Sequence, residues 1–391
     1  GAPLTNDPGS SRSTEPEGDA FQEYSFAGEA SSDYYGFSVA SAGDVNGDGY
    51  SDIVIGAPFN DAGGADAGKV YVYYGGQIID YGADVVITGS VPGGKLGFSV
   101  SSAGDVNADG YSDIIAGAIA VSANDGRAYI FLGGSPMNNT ADVTLQGAGG
   151  GELFGISVSH AGDLNGDSYS DVIIGAYAYS GYTGRAYAFF GSSVMDSGID
   201  LIFSSGDAGS GYGYAVSSAG DFNSDGYSDV IVGELLDPGS YGKAFIYTGG
   251  SGMDNTADLT LTGATPADYF GSALGLAGDV NGDGFSDVII GAYQHNSQTG
   301  AAYIYYGGSV LNNVADVAMY GVSGADIFGV SVGGDIDVNG DGFKDVIVGA
   351  RQNDNGGTNT GCAYIYYGGT SVNSVPDAVL SAGIPNDQFG F

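Results

Sequence analysis

Residues 154–177 read FGISVSHAGDLNGDSYSDVIIGAY, and this stretch decides the fold. It opens on an aromatic-Gly pair and a short apolar run, crosses an Asp-rich loop, and ends in a β-branched run closed by Gly-Ala. Short runs of Val, Ile, Tyr and Phe bounded by Gly, Asn, Asp and Ser are strand signals, and nothing here is long and periodic enough for an amphipathic helix. The same order recurs along the chain. Glycine preceded by an aromatic or Leu stands at Gly36, Gly97, Gly155, Gly213, Gly271, Gly329 and Gly390, at spacings of 61, 58, 58, 58, 58 and 61 residues. Each unit adds two more apolar runs, which in the second are GRAYIFLGG at 126–134 and ADVTLQG at 141–147. Four strands per unit, repeated radially, is the pattern of a β-propeller; the repeats of a linear β-solenoid are far shorter. The expectation is an all-β chain: a flexible segment at 1–19, then one propeller domain over 20–391. Repeats start near 35, 96, 154, 212, 270 and 328, and a seventh opens at 389.

In that order, FGISV, DLNGDSYSD and VIIGAY resemble the FG-GAP repeat of integrin α-subunit propellers, and the likeness runs over residues 20–391. Two departures stand out: Leu96 replaces the aromatic in the second unit, and Glu234 replaces the Ala of Gly-Ala in the fourth. The resemblance implies an extracellular or cell-surface module for adhesion and ligand recognition, with the ligand on the face opposite the Asp loops. It also implies seven blades, the last completed by an N-terminal outer strand. Asp84, Asp142, Asp200, Asp258, Asp316 and Asp377 each stand five positions before the end of a third apolar run, and Glu23 stands likewise before Gly28. AFQEYSFAG at 20–28 therefore reads as such an outer strand. Two expectations stay open: a six-bladed ring, or a seven-bladed one whose last blade is incomplete or complemented.

The loops carry the chemistry. They read DVNGDGYSD at 44–52, DVNADGYSD at 105–113, DLNGDSYSD at 163–171, DFNSDGYSD at 221–229, DVNGDGFSD at 279–287 and DVNGDGFKD at 337–345. Side-chain oxygens recur at loop positions 1, 3, 5 and 9, and a backbone carbonyl at position 7 completes a set suited to a hard cation. The candidate ligands are Asp44, Asn46, Asp48, Tyr50 and Asp52 in the first loop and Asp105, Asn107, Asp109, Tyr111 and Asp113 in the second. The third offers Asp163, Asn165, Asp167, Tyr169 and Asp171, and the fourth Asp221, Asn223, Asp225, Tyr227 and Asp229. The fifth offers Asp279, Asn281, Asp283, Phe285 and Asp287, and the sixth Asp337, Asn339, Asp341, Phe343 and Asp345. Position 7 contributes only its main chain, leaving the ring to pack. Asp, Asn and Gly also make good turns without metal, but three carboxylates in each of six turns repel one another unless a cation offsets them. Calcium suits an all-oxygen protein cage better than magnesium, and the near absence of His and Cys disfavours zinc and iron. About six Ca2+ sites follow. Ser168, in place of the sixth-position Gly, marks a weaker third site, and Lys344 sets a positive charge beside the sixth.

Composition excludes several functions. With 46 acidic residues against 8 basic ones the formal charge is −38, which repels nucleic acid and anionic membranes. No apolar run approaches the roughly 18 residues of a membrane span. Cys362 is the one cysteine, so no intrachain disulfide framework exists. His160 and His295 are the only histidines, neither in a recurring catalytic pattern, so the chain reads as a binding protein and not an enzyme. The connections at 57–69 and 350–361 are longer than their counterparts and emerge opposite the Asp loops, which nominates Asn60, Asp61, Asp66, Arg351, Asn353 and Asp354 as ligand contacts. The partner on that face is a protein or a glycan. A lectin-like propeller, and a subunit of an extracellular fibre or surface layer that self-associates through open ends, are the alternatives. Asn138-Asn139-Thr140 matches a glycosylation acceptor.

Overall fold

The computed structural model describes residues 26–77, 81–236, 239, 241–381, 386 and 388–390. It is an all-β propeller of six four-stranded blades. Blade one shows how each is built. Its strands, Ser38–Gly43, Asp52–Ala57, Lys69–Tyr73 and Val85–Thr88, pair antiparallel in sequence order. Second strands such as Asp113–Ala118 and Asp287–Ala292 are buried at every residue. Neighbouring blades cover both their faces, which explains why they read as unbroken apolar runs instead of alternating ones. Four-residue turns at Val121–Asn124, Tyr179–Tyr182 and His295–Gln298 have left-handed central residues, for example Ser122 at φ 53°, and are not regular helix. Among the described residues no helix is long and apolar enough to cross a membrane.

The core lies between blades. Ile115, Ile130 and Leu145 of blade two pack with Phe154, Val172 and Tyr187 of blade three, and a fully buried Phe such as Phe154 contributes about 2 kcal/mol. The two glycine signatures meet at this seam. A β-carbon on Gly56 would lie 2.0 Å from the carbonyl oxygen of Gly97 in the next blade. Gly117–Gly155, Gly175–Gly213, Gly233–Gly271, Gly291–Gly329 and Gly349–Gly390 repeat this contact at 2.0–2.1 Å. The Gly of Gly-Ala in one unit and the Gly of the aromatic-Gly pair in the next are therefore one feature: a backbone-to-backbone approach that no side chain fits.

Two backbone hydrogen bonds also tie each blade to the next. Ser112, Ser170, Ser228, Ser286 and Lys344 donate their N–H to the carbonyls of Asp44, Asp105, Asp163, Asp221 and Asp279. Gly134, Ser192, Gly250, Gly308 and Gly369 donate to Val45, Val106, Leu164, Phe222 and Val280. Among the described residues neither bond joins blade six to blade one. Val39 on that flank of blade one is 59% exposed, whereas its equivalents Val100, Val158 and Val216 are 5–7% exposed; Ile336 of blade six is 42% exposed. Phe389 nevertheless bridges to Gly361 as Phe154 bridges to Gly126, so the seventh aromatic-Gly pair docks as the starts of blades two, three, four and six do. The outer strand expected at 20–28 lies, except for residues 26–28, outside the described residues.

The recurrent acids of the third runs fold the turn between third and fourth strands. Asp84 accepts the N–H of Tyr74 at 2.8 Å, and Asp142, Asp200, Asp258, Asp316 and Asp377 do the same for Leu132, Phe190, Thr248, Tyr306 and Tyr367.

Candidate metal centres and the opposite face

Each Asp loop joins the first and second strands of its blade, and the six share one hydrogen-bonding scheme, except that the bond from the position-4 N–H is made in the first, third, fifth and sixth. In the first, Asp44 Oδ1 accepts the N–H groups of Gly47 and Asp48 (2.8 and 3.0 Å) and Oδ2 that of Gly49 (2.8 Å). Asn46 Oδ1 accepts the Asp48 N–H at 2.8 Å, its Nδ2 donates to Asp48 Oδ2 at 2.9 Å, and Asp48 Oδ1 accepts the Tyr50 N–H at 2.9 Å. The side chains of positions 1, 3 and 5 thus turn to one side of a single tight loop. The Asn-to-Asp bond between positions 3 and 5 recurs in every other loop at 2.9–3.0 Å. Position 6 is left-handed: Gly49, Gly110, Gly226, Gly284 and Gly342 have φ of 88–92°. Ser168 adopts the same region at φ 72° and keeps its N–H bond to Asp163 Oδ2 at 2.8 Å. A side chain there costs about 1–2 kcal/mol.

Position 9 plays a different part. Asp52, Asp113, Asp171, Asp229, Asp287 and Asp345 are at most 1% exposed. Their Oδ2 atoms accept the N–H of position 2 (Val45, Val106, Leu164, Phe222, Val280 and Val338) at 2.8–2.9 Å. Their Oδ1 atoms accept N–H groups beyond the third strand, from Gly75, Gly133, Gly191, Gly249, Gly307 and Gly368, at 2.7–2.9 Å. Burial pushes Asp113, Asp171, Asp229 and Asp287 up to about 7; the two N–H bonds oppose this and the loop's other carboxylates add to it.

Position 7 rings of the second, fourth and sixth loops pack across the blade boundary, whereas Tyr50 of the first is 42% exposed. A β-carbon on Gly47, Gly166 or Gly282 would meet the ring of Tyr111, Tyr227 or Phe343 of the next blade at 2.4–2.6 Å. Lys344, in the sixth loop, pairs with Asp335 at 3.0 Å. Among the described residues no three His, Cys, Asp or Glu side chains close by themselves into a metal cage. The donor set nevertheless fits a hard cation. Positions 1, 3 and 5 gather carboxylate and amide oxygens on one side, position 9 keeps lone pairs beyond its two N–H bonds, and no nitrogen or sulfur ligand intrudes.

The opposite end is chemically distinct. Of the basic residues that are described, all but Lys344 stand there: Lys69, Lys95, Arg127, Arg185, Lys243 and Arg351. Tyrosines, half-buried except for the exposed Tyr182, run across blades three to five, with Tyr177 against Tyr182 at 5.6 Å and against Tyr214 at 5.5 Å, and Tyr269 against Tyr293 at 5.5 Å. Burial raises the phenol of Tyr214, its neighbours Tyr293 and Tyr177 add to this, and Arg351 opposes it. The long connections are anchored by two of the nominated contacts. Asn353 is buried and donates to Asp326 Oδ2 at 2.9 Å and to the Tyr364 hydroxyl at 3.1 Å. Asn60, also buried, bonds Asp33 and Glu29. Both are braces, not ligand contacts, whereas Asp61, Asp66 and Asp354 are exposed.

One set of residues escaped the reading of the sequence. Asp33, Glu152, Asp268 and Asp326, each three positions before an aromatic-Gly glycine, are buried carboxylates. Glu152 accepts the Tyr187 hydroxyl at 2.6 Å, and Asp268 lies 3.0 Å from His295 Nδ1. Their spacing from the repeat glycine was the available signal. In blade four Ser210 takes that place, and the buried carboxylate is Glu234 instead.

A model of the FG-GAP repeat matches residues 35–73, 96–131, 154–189, 212–247, 270–305 and 328–366. Among curated proteins the chain is 37% identical over 166 residues to integrin alpha-5 of Xenopus laevis, covering 39% of this chain and 16% of that protein. It is 34% identical over 215 residues to integrin alpha-4 of Xenopus laevis, covering 52% of this chain and 20% of that protein. Over 171 residues it is 34% identical to integrin alpha-PS5 of Drosophila melanogaster, covering 41% and 17%. The matched part spans no more than 20% of any of these three relatives.

Proposed function

The chain belongs to the FG-GAP repeat family, and from that premise we propose that it is an extracellular adhesion or ligand-recognition propeller, a binder and not an enzyme, whose Asp loops hold calcium as scaffold. The observation that carries this reading is the sixfold repetition of one turn with Asp at positions 1, 5 and 9 and Asn at position 3, with Lys344 the only basic residue in any of the loops. Bound calcium would supply positive charge to Asp and Asn oxygens at positions 1, 3, 5 and 9 and to the position-7 carbonyl. The chain's own contribution is the preset turn: its N–H groups already orient Asp44 and its equivalents, so little ordering remains to oppose binding.

The ligand belongs on the other end. Connections carried by a rigid scaffold are where recognition resides, and half-buried Tyr and Arg are the side chains that anchor protein partners. Tyr177, Tyr214, Tyr293 and Arg351 are the proposed contacts. The test is cell retention on surfaces coated with the protein, with calcium or chelator present. Retention should depend on calcium and fall at least tenfold in a Tyr214→Ala, Arg351→Ala variant of unchanged melting temperature. Equal retention by that variant sinks the assignment of the face.

A further inference from the structure

The blades differ at the position three before the aromatic-Gly glycine, and the difference opens a site. In blades five and six a carboxylate there pairs with a polar side chain on the connection between second and third strands: Asp268 with His295 and Asp326 with Asn353. Asp33 of blade one is held in the same way by Asn60. Blade two breaks the pattern twice, with Gly94 in place of the acid and Val121 in place of Asn or His. Tyr129, the counterpart of the Tyr187 that donates to Glu152, consequently has no carboxylate at that place in its blade, where Gly94 stands.

A cavity of about 310 Å³ lies there, in the cleft between blades one and two. Its floor is apolar, formed by Ile87, Leu96, Val121 and Phe131. Its rim is hydroxyl and amide, from Thr88, Ser90, Asn139 and Thr140, and among the described residues no charged side chain lines it. Asn139 is fixed across the blade boundary, its Nδ2 donating to the Val86 carbonyl at 3.2 Å.

We propose that this cleft binds one neutral pyranose ring of a glycan. A sugar ring has an apolar C–H face and a hydroxyl edge, which match the floor and the rim. A charged ligand finds no countercharge, and a wholly apolar one leaves the rim's polar groups without partners, at a desolvation cost. The volume is at the small end of the ~300–1,000 Å³ of ligand pockets, enough for one ring. The site rests neither on calcium in the loops nor on a ligand at the tyrosine face.

Saturation-transfer difference NMR on the intact chain tests it, with the methyl glycosides of glucose, galactose, mannose and N-acetylglucosamine as probes and methyl glucuronide and decanoate as comparators. Transfer to at least one neutral glycoside is expected. Gly94→Asp, which restores the acid, should abolish it. A β-carbon there lies 2.8 Å from the Val91 carbonyl oxygen, so Val121→Asn, which restores the other half of the polar pair, provides a second reading should Gly94→Asp fail to fold. Tyr129→Phe should weaken binding at least threefold. Transfer to the glucuronide or decanoate alone, to none of the probes, or to a glycoside equally in the wild type and Val121→Asn overturns the proposal.

Discussion

Asp113 accepts the N–H of Val106 with one carboxylate oxygen and that of Gly133 with the other, both at 2.8 Å. The last acid of the second Asp loop therefore ties the loop's start to the end of the third strand, whether or not a cation is present. Asp113→Ala leaves two buried donors without acceptors, each costing about 1–3 kcal/mol. A loss of roughly 3 kcal/mol is expected in urea unfolding carried out in chelator. A role as ligand alone would leave the chelated protein unaffected.

The same buried acids make the cation-free chain sensitive to pH. Asp113, Asp171, Asp229 and Asp287 rise to about 7 in the fold, burial being the main cause, against about 3.9 in an unfolded chain. The folded state thus binds more protons between those values, so this stability is present at low pH and lost as pH rises toward 7. Unfolding midpoints in chelator should fall from pH 5 to pH 7 and then level off, while calcium affinity changes in the opposite sense because the ion competes with protons. A midpoint rising over that interval contradicts the assignment.

Gly175 has no room for a side chain against the Gly213 carbonyl of blade four, where a β-carbon would lie at 2.0 Å. Gly175→Ala forces the two backbones apart and should cost about 3 kcal/mol, at the upper end of overpacking. Thermal unfolding compares it with Gly226→Ala, which meets nothing within 4 Å and is strained only by its φ of 92°. Equal losses in the two would show that backbone conformation, not the seam, selects glycine.

Much of this was legible in the sequence, for a physical reason. Backbone approach and left-handed turns admit few residue types, so Gly56, Gly97 and Gly49 recur at fixed spacing and announce both seam and loop. Asn60 and Asn353 were misjudged because a polar residue in a long connection reads as solvated until its buried partners, Asp33 and Asp326, are in view. Gly94 was silent because its consequence, a cavity, comes from what its side chain lacks. The double duty of position 9 was hidden for a similar reason: Val106 and Gly133 contribute backbone N–H groups, which leave no mark on residue identity.

Ser168 keeps the turn of the third loop at the price of a left-handed serine. Ser168→Gly should raise stability by about 1 kcal/mol. It should also strengthen calcium binding at that loop, read as the loss of the weakest step in a calcium titration. No change in either quantity would mean that the loop absorbs the strain elsewhere.

Calcium bound in the six Asp loops as scaffold is the central proposal. Calorimetric unfolding of calcium-loaded and chelated protein, with bound calcium counted in the same samples, measures this. About six ions per chain and a melting temperature at least 10 °C higher with calcium are expected, since every ion bound only by the folded state adds to its stability. Identical melting temperatures with no calcium retained would contradict it.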